Sequence, residues 1–113
     1  MDIREETENG VTVVAPHGRV DSVSSAELEK ALVGRLDAGD RHLVVDLGGV
    51  EYISSAGLRV LLMLAKKLQG TGGRLVLCAM PDSVRLVFEL AGFLPIFEIE
   101  DTRQAAVSRP GVG

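Results

Sequence analysis

Two adjacent hydroxyls, Ser54 and Ser55, hold the clearest chemical potential in the chain, inside YISSAGLRVLL at residues 52–62. A serine at that point can cap a helix, act as a nucleophile or receive a phosphate. A nucleophile needs a base and an orienting acid beside it. The only histidines are His17 and His42, and SSAG is not the G-x-S-x-G elbow of serine hydrolases. His42 opens an apolar run and reads as a surface or edge residue. His17 lies in a segment with Asp21, where an acid and a base come close in sequence. Hydrolysis has little else behind it, so the chain is read as a non-enzyme.

Other candidate chemistries are thinner still. GTGG at 70–73 follows a helix instead of preceding one and lacks the Lys-Ser/Thr pair of a phosphate loop. It reads as a helix end and turn, and Gly48-Gly49 reads as a turn after a strand. Asp21, Asp37, Asp40, Asp46 and Glu51 have no recognised metal-ligand spacing, and no metal site is expected. The single cysteine, Cys78 in RLVLCAM, rules out an internal disulfide and fits a small buried hydrophobe in a strand. With no phosphate-binding motif, no cofactor is expected.

Composition narrows the class. The 113 residues suit one domain, and 46% are hydrophobic while only 4% are aromatic, so aliphatic side chains must fill the core. A formal charge of −4 with no Lys/Arg run argues against direct nucleic-acid binding. The polar start DIREETENG is not a signal peptide, and no apolar stretch approaches the ~20 residues of a membrane span. The expected location is the cytoplasm, with no membrane insertion.

The elements that must position the serines follow from turn and periodicity signals. Asn9-Gly10 predicts a hairpin between a polar strand near 2–8 and VTVVA at 11–15. Pro16 and Gly18 are expected to end that second strand, leaving HGRVDS as a loop. Ser24 and Glu27 form a capping-box pattern, with Val23 and Leu28 spaced as a hydrophobic staple, for a helix ending near Ala38-Gly39. HLVVDL at 42–47 predicts a strand covered on both faces. A helix then starts at Ser55 as its N-cap and ends at Gly70. RLVLCAM predicts a strand, Pro81-Asp82-Ser83 opens a helix stopped by Gly92, and IFEI at 96–99 predicts a last strand. A final helix opens at Asp101 or Thr102, and residues 108–113 are expected to fray. The order β-β-α-β-α-β-α-β-α implies an α/β fold with a mixed, mostly parallel sheet.

At about 100° per residue, Leu58, Leu61, Leu62, Ala65 and Leu68 share one side of the helix after Ser55. Val60 and Met63 fall opposite, close in angle to Ala56, Arg59 and Lys67. Apolar residues rimmed by basic ones suggest a docking face beside Ser55.

From LVVDLGGVEYISSAGLRVLL the chain resembles the STAS domain of the anti-sigma factor antagonists. In that family an apolar strand ending D-L-S-x-V leads to an apolar residue, Asp-Ser-Ser/Thr-Gly-Leu and an apolar helix. Asp46, Leu47 and Val50 match the strand and its exit, and Ile53, Ser55, Gly57 and Leu58 match the loop. GRVDSVSSAELEKAL matches the upstream acidic segment, with Asp21 on its acid. Ser54 stands where the family has Asp, and Ala56 where it has Ser/Thr. The resemblance covers nearly the whole chain and implies one STAS-like domain over residues 1–113. It implies phosphorylation of Ser55 (Ser54 the alternative acceptor) by a partner that is both anti-sigma factor and serine kinase. Unphosphorylated antagonist would bind that partner and release a sigma factor; a phosphoserine phosphatase would reset the switch. Asp21, Ser22 and the loop Ser54, Ser55, Ala56, Gly57 and Leu58 would face the partner, joined by Arg59, Val60 and Met63. The alternative is a STAS subunit of a transport or sensory assembly, with a structural serine.

Overall fold

The computed structural model describes residues 1–109. Strand β1 (Asp2–Glu8) and strand β2 (Val11–Val20) form the expected hairpin, with Asn9 and Gly10 both at positive φ. Helix α1 (Ser24–Asp37) leads to β3 (His42–Asp46), β4 (Val50–Ile53) and helix α2 (Ser55–Gly70). Then come β5 (Arg74–Cys78), α3 (Asp82–Leu90), a 3-10 turn (Leu94–Ile96), β6 (Glu98–Glu100) and α4 (Arg103–Val107). The sheet runs β1-β2-β3-β5-β6, antiparallel only at β1–β2, with β4 added to the far end of β2.

Two expectations fail at the strand that leads to the site. The chain does not loop out at Pro16: β2 continues to Val20, pairing first with β3 (through Val14) and then with β4 (from Gly18). Pro16 falls between those two ladders on that side, a gap that tolerates a residue with no N–H. The second missed feature is β4 itself, so the order is β-β-α-β-β-α-β-α-β-α. Glu51 and Tyr52 are both exposed between buried Val50 and Ile53, a pattern without the alternation that betrays a strand. Further along, the last strand begins at Glu98, because Leu94–Ile96 close a 3-10 turn first.

Helices α1, α2 and α3 cover one face of the sheet around Leu28, Leu43, Val45, Leu61, Leu64 and Phe88. On the other face, Ala106 and Val107 of α4 close a smaller cluster with Val13, Val44, Val76 and Cys78. Strand β3 is thus covered on both faces, as its unbroken apolar run requires. Arg103 clamps this second layer, reaching Asp46 (2.8 Å), Glu6 (2.9 Å) and Glu8 (3.0 Å). Burial pushes the Cys78 thiol up to about 12. Of the tail expected to fray from residue 108, Arg109 bonds Glu100 (2.9 Å), and residues 110–113 lie outside the described residues.

Candidate functional site

The paired ends of β2 and β4 bring the two predicted segments together. Val20 is in register with Ile53, and the Ser54 N–H donates to the Val20 carbonyl (2.8 Å). Asp21 leaves β2 at the point where Ser54 and Ser55 leave β4. Both loops therefore sit at the carboxyl ends of parallel strands, where open α/β sheets present their sites.

The two serines divide the work differently from the expectation. Ser54, not Ser55, is the N-cap of α2: its backbone is extended and its Oγ accepts from the Gly57 N–H (3.3 Å). Ser55 is the first helical residue, exposed, and its hydroxyl has no hydrogen bond among the described residues. Ser and Asp are near-equal N-caps, so a serine at this position can do the capping that an aspartate there could do.

Across the cleft, Asp21 caps α1 instead of Ser24. Its Oδ1 accepts from the N–H groups of Ser24 (2.9 Å) and Val23 (3.0 Å). Those bonds, Ser24 first, hold its carboxyl below the usual range. Ser24 lies inside the helix, its hydroxyl accepting from the Asp21 N–H (2.9 Å) and donating to the Arg19 carbonyl (2.6 Å). The staple is absent, since Val23 is 76% exposed. Ser22 is also exposed, and its carbonyl accepts from Ser25 Oγ (3.1 Å).

The expected partner-facing set splits by burial. Ser22, Ser55 and Arg59 are exposed, and Asp21, Ser54, Ala56 and Met63 are half-buried. Gly57, Leu58 and Val60 are buried, Leu58 on the core side as its helical position implies and Val60 against expectation, although it still lines the groove between α1 and α2. A Cβ on Gly57 would lie 2.8 Å from side-chain carbons of both Val20 and Ile53, so glycine is what lets α2 start this close to the strands. Leu58 is core, and Val60, 7% exposed, packs in the same cluster. The helical wheel erred because α2 is covered by the sheet and by α1 together. Its buried arc shifts to include Val60 and Leu64, while Leu62 and Ala65 are only half-buried.

Between α1 and α2 runs a groove of about 360 Å³, lined by Ala26, Glu29, Ala56, Arg59, Val60 and Met63 among others. Its α1 wall was not foreseen, although Ser25, Ala26 and Glu29 have helical spacing. Arg19 and Tyr52 form a second unforeseen feature beside the site: the guanidinium lies 4.5 Å from the ring centroid. Residue identity alone does not reveal it, because the pairing depends on the unread strand β4. A larger cavity of about 460 Å³, lined by His42, Gln69 and Arg74, opens instead at the strand starts of β3 and β5.

Among the described residues no base is hydrogen-bonded to either serine. His17 packs over Gly49, with Nδ1 3.0 Å from the Ala15 carbonyl. Asp46 serves the Gly48 N–H (2.8 Å) and Arg103, and Asp40 serves Thr12 and Arg35. Among the described residues no group of three metal-ligating side chains converges. The arrangement offers an exposed hydroxyl at a helix start, at the same sheet end as the hydrogen-bonded Asp21 carboxylate and on the helix that forms one wall of the groove.

That fold coincides with one family. The STAS domain model matches residues 2–106, and the chain belongs to that family. BtrV of Bordetella bronchiseptica, named as an anti-sigma factor antagonist, is 43% identical over 108 residues, covering 96% of this chain and 93% of that protein. The crystal structure of an anti-sigma factor antagonist from Mycobacterium paratuberculosis superposes with a TM-score of 0.86 at 29% identity, covering 95% of this chain and 91% of that one. The Bacillus cell fate determinant SpoIIAA in its phosphorylated form superposes with a TM-score of 0.73 over 96% of this chain and 98% of that one; at 17% identity this likeness concerns the fold.

Proposed function

We propose that this chain is an anti-sigma factor antagonist whose partner binding is switched off by phosphorylation of Ser55. The observation that carries the proposal is the division between the serines: Ser54 is engaged as the cap, whereas Ser55 is exposed with a hydroxyl free of structural duty. The names of the relatives support the antagonist part of this reading.

The unphosphorylated chain binds an anti-sigma factor with serine kinase activity, which then lets go of its sigma factor. Asp21, Ser22, Ser54, Ser55, Ala56, Arg59 and Met63 form the contact face. Gly57, Leu58 and Val60 shape that face from below. Phosphate on Ser55 adds about −1.5 to −2 charges. A helix N-terminus tolerates such charge, so the fold stays intact and the loss is felt at the interface through collision and repulsion. A phosphoserine phosphatase restores binding. The ATP consumed sits in the kinase, and the chain acts by binding and not by catalysis.

Incubating the protein with candidate anti-sigma kinases and ATP, then mapping the product by mass spectrometry, tests this directly. The expected product is a single phosphate on Ser55, absent in Ser55→Ala. Phosphate on Ser54, or none with every kinase, would reject the switch and favour a structural serine in a transport or sensory assembly.

A further inference from the structure

Helix α2 carries Arg59, Lys66 and Lys67 and not one acidic residue. Arg59 lies four residues after Ser55, on the neighbouring position of the same helical face. Side chains on a helix tilt toward its N-terminus, so a long residue covers the turn before its own Cα. For Arg59 that turn is the one that begins with Ser55. The guanidinium is also available. Arg4, Arg35, Arg74, Arg103 and Arg109 each have a carboxylate within 4.0 Å, whereas Arg59 is exposed and has none among the described residues. Glu29 faces it across the groove without closing an ion pair.

We infer that Arg59 is the internal counter-ion that pairs with the Ser55 phosphate. The inference rests on the phosphorylation proposed above and names the group that answers it. Arg suits the role because its planar fork binds phosphate oxygens through two N–H donors at once. Modification then changes the contact face twice: it adds negative charge at Ser55 and withdraws the positive charge of Arg59. Glu29, on the opposite wall of the groove, opposes the phosphate; Asp21, where β2 ends beside the start of α2, adds a second carboxylate, with Arg19 the cation next to it. Lys66 lies about two turns further along the helix.

The test uses full-length protein with phosphoserine installed at position 55 by genetic-code expansion, so that no kinase is required. The second ionisation of the phosphate, ordinarily near pH 6, is followed by phosphorus NMR at low salt. Replacement by Arg59→Gln should raise that pKa by a few tenths to about one pH unit, and Arg59→Lys should restore part of the shift. Arg85→Gln, which alters an exposed arginine on α3, should leave it unchanged, and 1 M salt should reduce the Arg59 effect. Equal pKa values for wild type and Arg59→Gln would overturn the inference, as would an equal response to Arg85→Gln. Neither result depends on whether a kinase modifies Ser55, so the two proposals fail separately.

Discussion

Exchanging the two serines for alanine separates the cap from the switch. Ser54→Ala removes the Oγ that accepts the Gly57 N–H at 3.3 Å and leaves that donor at a half-buried helix start. Loss of an N-cap costs about 0.5–2 kcal/mol; the long bond places this one in the lower half, near 1 kcal/mol. For 113 residues the unfolding entropy is about 0.24 kcal/mol per kelvin, so Tm should fall by roughly 4 °C. Ser54→Asp keeps an acceptor and adds a favourable charge at the helix start, and should hold the wild-type Tm within about 2 °C. Ser55→Ala removes an exposed hydroxyl that bonds nothing described, and should change stability by less than about 0.5 kcal/mol, or about 2 °C. Thermal unfolding by circular dichroism, repeated in urea, reads all three. A larger loss for Ser55→Ala than for Ser54→Ala would refute the assignment of the cap and, with it, the claim that Ser55 is free to be modified.

Four further variants test the packing and the titrating groups. Gly57→Ala forces a methyl to within 2.8 Å of Val20 and Ile53 and should cost about 1–3 kcal/mol in urea unfolding, with reduced partner binding as the loop shifts. Leu64→Ala, at a fully buried position the helical wheel missed, should cost about 2–5 kcal/mol, whereas Met63→Glu on the groove wall should leave unfolding nearly unchanged and weaken partner binding. The Asp21 carboxyl titrates lower in the folded chain than in the unfolded one. Its contribution is therefore present above about pH 4 and lost as pH falls through the depressed folded value; Asp21→Asn should flatten that acid limb of the stability profile.

The features legible in the sequence were those encoded locally. Asn9-Gly10, Gly39 and Gly92 mark turns at positive φ, and the run Leu43–Val45 reads as a strand buried on both faces because it is one. The serines stand out from their own segment and Asp21 through the resemblance; the structure brings those two segments side by side at the paired ends of β2 and β4. The missed features were set by tertiary partners. Strand β2 runs through Pro16 because β1 pairs with it from Val11 to His17, and β4 takes up the ladder from Gly18 to Val20. Val60 turned from a surface residue into a core one because α1 lies against α2, which no pattern within α2 records. The exchange of roles between Ser54 and Ser55 is a shift of one residue at a helix end, and only the bond to Gly57 decides it.

The most direct measurement of the central claim compares the partner affinity of two full-length forms, one with serine and one with installed phosphoserine at position 55. Calorimetric titration against the cognate anti-sigma kinase should show binding for the serine form and at least a tenfold weaker affinity, a loss of about 1.4 kcal/mol, for the phosphoserine form. Circular dichroism and Tm should match between the two. Equal affinities, or a phosphoserine form that binds poorly because it has unfolded, would contradict a switch that works at the surface of an intact fold.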